Sequence, residues 1–279
     1  TLYRDAIQYV HDQTIRLMNK GFYPDQIIEM IQLPESVASS PFVNEFYGTV
    51  RWSVKSIFNG YLGWFNGNIS DLDPLSRREE AERFTKLAGG EAVLFLELEK
   101  AVERGDLQWA LQLSDRLIAL NYKNEETKKL RAKAARSMGE KSSNPNKRNY
   151  LLSVAYELEP GYKEGSLLPQ SEELLREISI DMFFDILAVR LNPEKMEAGE
   201  FRVCFSFTSG IKKSITLRNS VAEISSLSVD CDIQVESEDQ VFKEMLAGIR
   251  NPIFAVTSGS VNTNGNAASF LSFLSKFSD

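Results

Sequence analysis

The 279-residue sequence changes character at Glu159-Pro160-Gly161, and that change constrains its architecture more than any other feature. Before it, apolar residues recur every three to four positions. After it, Phe201, Val203, Phe205 and Phe207 alternate strictly with Arg202, Cys204 and Ser206. A period near 3.6 buries one stripe of a helix, whereas a period of two buries one face of a sheet. The two halves therefore call for different scaffolds. The fold class is α+β: an all-α domain over residues 1–160 and a smaller α+β domain over 168–279, in keeping with about 100–200 residues per domain.

In the first half, Ile7, Val10, Ile15 and Leu17 set a helix from Leu2 that Gly21 ends. Pro24 opens a short helix through Ile27, Ile28 and Ile31, stopped by Pro34. After a loop around Pro41, the stripe Val50, Val54, Ile57, Phe58, Tyr61, Leu62 and Phe65 predicts a helix ending at the turn Asn66-Gly67-Asn68. Four further segments lie between Arg77 and Met138. Three of them, Glu91–Arg104, Leu107–Leu120 and Glu125–Met138, start 16 and 18 residues apart, the spacing of a tetratricopeptide-type helical hairpin. One and a half such repeats leave a face uncovered, which predicts burial against another helix, domain or subunit. Ser142 to Asn146 reads as a loop and Arg148 to Leu158 as a further helix.

The stretch from Glu159 to Pro169 reads as the domain boundary. Beyond it, Ser179–Leu191 is an amphipathic helix. Residues 201–207, Ile215–Leu217, Val221–Leu227 and Cys231–Val235 are strand candidates. Ser237 is placed as the N-cap of a helix to Leu246. A last helix, Ala267–Phe277, carries Phe270, Phe273 and Phe277; rings of that size either line a cavity or, in the plainer reading, pack a core.

Composition then removes several classes of function. A net charge of -7 with dispersed Lys and Arg argues against a nucleic-acid binder. No run of about 18 apolar residues is present, so no transmembrane segment is expected. The sole histidine, His11, and two distant cysteines give no metal-ligand spacing, and no calcium-type loop appears. Cys204 and Cys231 are read as two small buried thiols, with a single bridge as the alternative.

Three stretches carry a resemblance. They are His11-Asp12-Gln13-Thr14 through Gly21, Tyr47-Gly48-Thr49-Val50 through Asn66-Gly67-Asn68 to Pro74-Leu75, and Arg148-Asn149-Tyr150-Leu151 to Ala155-Tyr156-Glu157-Leu158. In this order they resemble the region downstream of the metallo-β-lactamase-type domain of bacterial alkyl sulfatases. Residues from about 170 onward, marked by Phe183 to Leu191, resemble the sterol-carrier-protein-2-like (SCP2-like) domain that ends those enzymes.

The resemblance implies a parent enzyme that hydrolyses the sulfate ester of a long-chain alcohol with two zinc ions, which lower the pKa of bound water. The zinc-binding H-x-H-x-D-H segment belongs to the upstream domain. This chain is thus expected to hold no cofactor and no catalytic residue, and not to be an enzyme by itself. Its implied roles are pairing into a homodimer and binding the alkyl tail of an alkyl sulfate or another lipid-like ligand. A stand-alone lipid carrier or protein-interaction scaffold is the other reading. The resemblance suggests a periplasmic or secreted location, with the cytoplasm left open.

Four residues of the Tyr-Gly motif become substrate-binding candidates: Tyr47, Arg51, Trp52 and Lys55. Many relatives carry His-Asn where this chain has Trp52-Ser53, and an indole donates one N–H but exchanges no proton. Arg51 is then the candidate to bind sulfate, or else an exposed residue at a helix N-terminus; Lys55 is open to the same two readings. His11 is expected to meet the upstream domain. Phe183, Phe270, Phe273 and Phe277 are the candidates for an alkyl-tail pocket.

Overall fold

The computed structural model describes residues 1–162, 172–226, 230–264 and 266–277. The chain forms two units, Thr1–Lys163 and Glu164–Asp279. The expected boundary stretch to Pro169, the start of the second domain at 168 and the strand end at Leu227 fall outside the described residues.

The first unit runs α1 (Leu2–Met18), α2 (Pro24–Met30), α3 (Glu35–Ala38), α4 (Val50–Leu62), α5 (Arg77–Leu87), α6 (Glu91–Arg104), α7 (Leu107–Ala119), α8 (Asn124–Lys141) and α9 (Pro145–Glu157). Two cores hold it. Val10 and Leu17 of α1 meet Ile27 and Ile28 of α2 and Val54 and Phe58 of α4. Leu94, Leu98 and Ala101 of α6 meet Ala110, Leu113 and Leu117 of α7 and Ala134 of α8. Ala110 and Ala134 are fully buried, and small residues at these positions let the backbones approach. Gly139 serves the same end, since a Cβ there would lie 3.0 Å from Leu152 and 3.2 Å from the Arg148 carbonyl. Ser76 and Glu79 cap α5 reciprocally, and the Ser76 hydroxyl holds the Glu79 carboxyl below its ordinary pKa.

Helix α4 ends at Leu62 rather than Phe65, because Gly63 takes φ +80° and turns the chain out. The short helix α3 carried no periodic signal, being a single turn started after Pro34.

The second unit contains α10 (Glu172–Glu177), α11 (Ile180–Val189), β1 (Phe201–Phe207), β2 (Lys212–Arg218), β3 (Val221–Ser225), β4 (Ile233–Ser237), α12 (Asp239–Leu246), α13 (Pro252–Thr257), β5 (Val261–Thr263) and α14 (Ala267–Ser275). The sheet order is β3-β2-β1-β4-β5. Strands β1 and β4 are parallel, with Val203 opposite Ile233, and the other pairs are antiparallel. Asn219 and Ser220 both take positive φ, which gives the two-residue β2–β3 hairpin the twist that its strands need. Val203, Phe205, Phe207, Ile215, Leu217, Ile233 and Val235 present one apolar face to α11, α12 and α14.

Ser237 is not a helix cap. It is the last residue of β4, its hydroxyl donates to the Glu238 carbonyl at 3.0 Å, and Glu238 takes the N-cap position. A serine flanking a strand and a helix carries the cap signature in either role. Lys243, buried in α12, donates to the carbonyls of Leu175 at 3.1 Å and of Ile178, so its charge is satisfied at the end of α10.

The cysteines are not free thiols: Cys204 and Cys231 form a disulfide with Cα atoms 5.9 Å apart. The parallel pairing explains it. With Val203 opposite Ile233, the residues just before β4 lie beside β1, and Cys204 points away from the aromatic face.

Candidate functional site

The first unit holds an open cavity of about 750 Å³, within the range of small-molecule sites. Three elements build it. Helix α1 contributes Tyr3, Ile7, Val10 and His11, spaced i, i+4, i+7, i+8 along one face. Helix α4 contributes Trp52, Ser53, Ser56 and Ile57, and the loop between α3 and α4 contributes residues from Phe42 to Thr49.

Of the four candidates from the Tyr-Gly motif, Tyr47 and Trp52 line this cavity, whereas Arg51 and Lys55 do not. Arg51 pairs with Glu29 at 3.0 Å and Lys55 with Asp25 at 3.4 Å, both on α2. Successive helical positions point about 100° apart, so residues 51 and 55 diverge from 52 and 56 although all four share one motif. The two ion pairs are exposed on both sides. Pairs of that kind contribute about 0.2–1 kcal/mol.

His11 sits on the α1 wall in a hydrogen-bonded chain. Its Nδ1 lies 2.9 Å from Asp12 Oδ1 and its Nε2 3.0 Å from the Tyr61 hydroxyl on α4. A carboxylate only accepts, so Nδ1 is the nitrogen that carries a hydrogen toward Asp12. The His11 hydrogen bond holds the Asp12 carboxyl below its usual value. The arrangement ties α1 to α4.

The loop wall is fixed by residues that no motif marked. Asn144, buried at the N-cap of α9, accepts from the Lys147 N–H at 2.9 Å. Its amide donates to the Glu45 carbonyl at 2.7 Å and the Gly48 carbonyl at 3.4 Å, and Asn146 donates to the Tyr47 carbonyl at 2.7 Å. Glu45 in turn accepts from the Val50 N–H at 2.7 Å, and Thr49 Oγ1 from the Trp52 N–H at 3.1 Å, capping α4. An Asn before Pro at the first helical position is legible as an N-cap. Its reach to a loop 96 and 99 residues earlier is not. Asn144→Ala is expected to cost about 2–3 kcal/mol in urea unfolding of the helical unit, as a cap and two carbonyl partners are lost together. Asn144→Asp, which keeps the cap oxygen but not the donor, should retain part of this. A loss below about 0.5 kcal/mol for the alanine variant would contradict the clamp.

Phe183, Phe270, Phe273 and Phe277, the expected tail pocket, are all buried in the second unit. Phe270 stacks on Phe273 at 6.3 Å between ring centroids, Phe273 meets Phe277 edge-on at 5.0 Å, and Phe183 meets Phe242 at 6.2 Å. A cavity of about 260 Å³ in this unit touches Phe273 alone of the four. The rings pack against one another and the sheet, which is the core-packing alternative.

Among the described residues no group of three His, Cys, Asp or Glu side chains comes together as metal ligands. The donors among the described residues do not fit a two-zinc centre. No described helix is long and apolar enough to cross a membrane.

The chain thus joins a helical unit with an open apolar cavity to an α+β unit with a filled aromatic core. Comparison with known proteins gives the family. The alkyl sulfatase dimerisation model matches residues 23–161, and the alkyl sulfatase C-terminal model matches residues 169–279. The chain is 33% identical over 288 residues to a linear primary-alkylsulfatase of Pseudomonas sp. (strain ATCC 19151), covering 98% of this chain and 54% of that protein. It is 28% identical to an (R)-specific secondary-alkylsulfatase of Pseudomonas sp., covering 99% of this chain and 42% of that protein. The structure of the stereoselective inverting sec-alkylsulfatase Pisa1 from Pseudomonas sp. superposes with a TM-score of 0.85 at 26% identity, over 99% of this chain and 44% of that one. The chain belongs to the alkyl sulfatase family and corresponds to its dimerisation and C-terminal regions. It spans about half the length of the curated relatives it matches.

Proposed function

We propose that this chain is the non-catalytic portion of an alkyl-sulfatase-type hydrolase of the metallo-β-lactamase superfamily. In this reading the helical unit, with tetratricopeptide-type hairpins, pairs two copies. The α+β unit is of the SCP2 type. The chain also binds the apolar tail of a long-chain alkyl sulfate, whose ester is cleaved by a two-zinc domain outside these residues. An alkyl sulfate is a detergent, and each buried CH₂ of its tail contributes about 0.8 kcal/mol.

The observation that carries the pairing is the match of residues 23–161 to a dimerisation region. The same unit keeps Leu62, Trp64, Ile69, Leu87, Tyr150 and Tyr156 exposed. Pairing would give apolar side chains of this kind a surface to be covered by. Sedimentation of the purified chain at micromolar concentration is expected to give a dimer, and a strict monomer would overturn the pairing. The same material should release no sulfate from an alkyl sulfate, with or without added zinc; release would overturn the non-catalytic assignment.

A further inference from the structure

The geometry points to the α1–α4 cavity of the helical unit, and not the phenylalanine cluster of the α+β unit, as the site that takes the linear alkyl chain. This rests on the proposed tail-binding reading and gives it a place.

The two units treat their apolar side chains in opposite ways. In the α+β unit Phe270 and Phe273 are completely buried and face one another, so a tail would have to displace rings that already have partners. In the helical unit the cavity wall keeps Phe42 83%, Ile7 58% and Trp52 42% exposed. These side chains are held out rather than packed in. The loop that carries Tyr47 and leads into Trp52 is fixed by polar contacts that owe nothing to the rings: Asn144 to Glu45 and Gly48, Asn146 to Tyr47, and Glu45 and Thr49 to the first turn of α4. A wall fixed from behind with apolar groups facing an open volume is preformed for an apolar ligand, which saves the ordering that binding otherwise requires.

The charge pattern selects the part of the ligand. No Lys or Arg lines the cavity, and Glu45 does. Arg51 and Lys55 are engaged by the α2 carboxylates. A sulfate head therefore finds no cation among these walls, while a chain of CH₂ groups finds apolar surface. His11 adds a polar group to the α1 wall, its two ring nitrogens engaged by Asp12 and the Tyr61 hydroxyl. The ligand class is a linear alkyl chain, the tail of the ester or of the alcohol that its hydrolysis leaves.

The test is calorimetric titration of the intact chain with 1-hexanol, 1-octanol and 1-decanol, alongside Ile7→Glu and Phe42→Glu. Both altered side chains are exposed, so the fold should persist, as circular dichroism would show. Saturable binding is expected, tightening about four-fold per CH₂. Each variant should weaken it at least ten-fold with no change in oligomeric state. Unchanged binding in both variants would place the tail elsewhere, ending this inference while leaving the tail-binding reading standing. Absence of saturable binding in the unaltered chain would end both. A variant that turns a dimer into a monomer would mark the cavity as the face of a second copy and overturn the assignment.

Discussion

Phe242→Ala is expected to lower the stability of the α+β unit by about 3–5 kcal/mol, a large share of what holds a domain together. Phe242 is fully buried on α12. Its ring centroid lies 5.0 Å from that of Phe205, 5.4 Å from Phe207, 5.6 Å from Phe184 and 6.2 Å from Phe183. Truncation removes the hub of that cluster and leaves a void that flanking β1 and α11 cannot both close. The helical unit has cores of its own, so its transition should stay in place. Differential scanning calorimetry would show one transition displaced and one unchanged; a loss below about 1 kcal/mol would mean that the cluster can repack around the void. Phe270→Ala and Phe273→Ala should behave likewise. Such variants would therefore report on folding before they reported on any ligand.

That result bears on how the four phenylalanines read in sequence. Ring size and helical spacing are the same whether a side chain lines a cavity or fills a core. What separates the two is the facing element, here the alternating Val203, Phe205 and Phe207 of β1. The alternation itself was legible, since strict period two admits little else, and with it the α+β class. The parallel placement of β4 beside β1 was not, because strand order is a long-range property that no local pattern encodes. The bridge between Cys204 and Cys231, open in sequence as the alternative to two thiols, depends on that placement, and the extension of β4 through Ser237 carried no local sign. Strand β5, three residues long, and α13, six, are too short to carry a period.

The candidate site was legible by half. Tyr47 and Trp52 come together on one cavity because the motif holds both the loop and the first turn of α4. Arg51 and Lys55 part from them because a helix sends consecutive residues to different faces. The clamp by Asn144 and Asn146 left only a local trace, the helix cap. Its functional half lies in the carbonyls of Glu45, Tyr47 and Gly48, and backbone acceptors leave no signature in side-chain identity.

Reduction of the Cys204–Cys231 bridge should be the second large effect. The two residues are separated by 27 positions. Closing a loop of that length removes about 3–4 kcal/mol of chain entropy from the unfolded state, and reduction returns it. For a domain of this size the loss corresponds to a fall of roughly 10–15 °C in the melting temperature of the α+β unit. The native contacts should survive the loss of the bond. Cys204 lies on the sheet face away from the phenylalanine cluster, and the β1–β4 ladder runs from Val203 to Phe207 without it. A Cys204→Ser, Cys231→Ser double variant should therefore fold to the same circular dichroism spectrum and melt where the reduced protein melts. The oxidised wild type should melt higher, and dithiothreitol should abolish the difference. If oxidised and reduced protein melted together, the strands would already be held in register by the sheet, and the bond would restrain nothing that the unfolded chain explores. Equality between the double variant and reduced wild type is the decisive comparison, because it separates the cross-link from the packing of the two sulfurs.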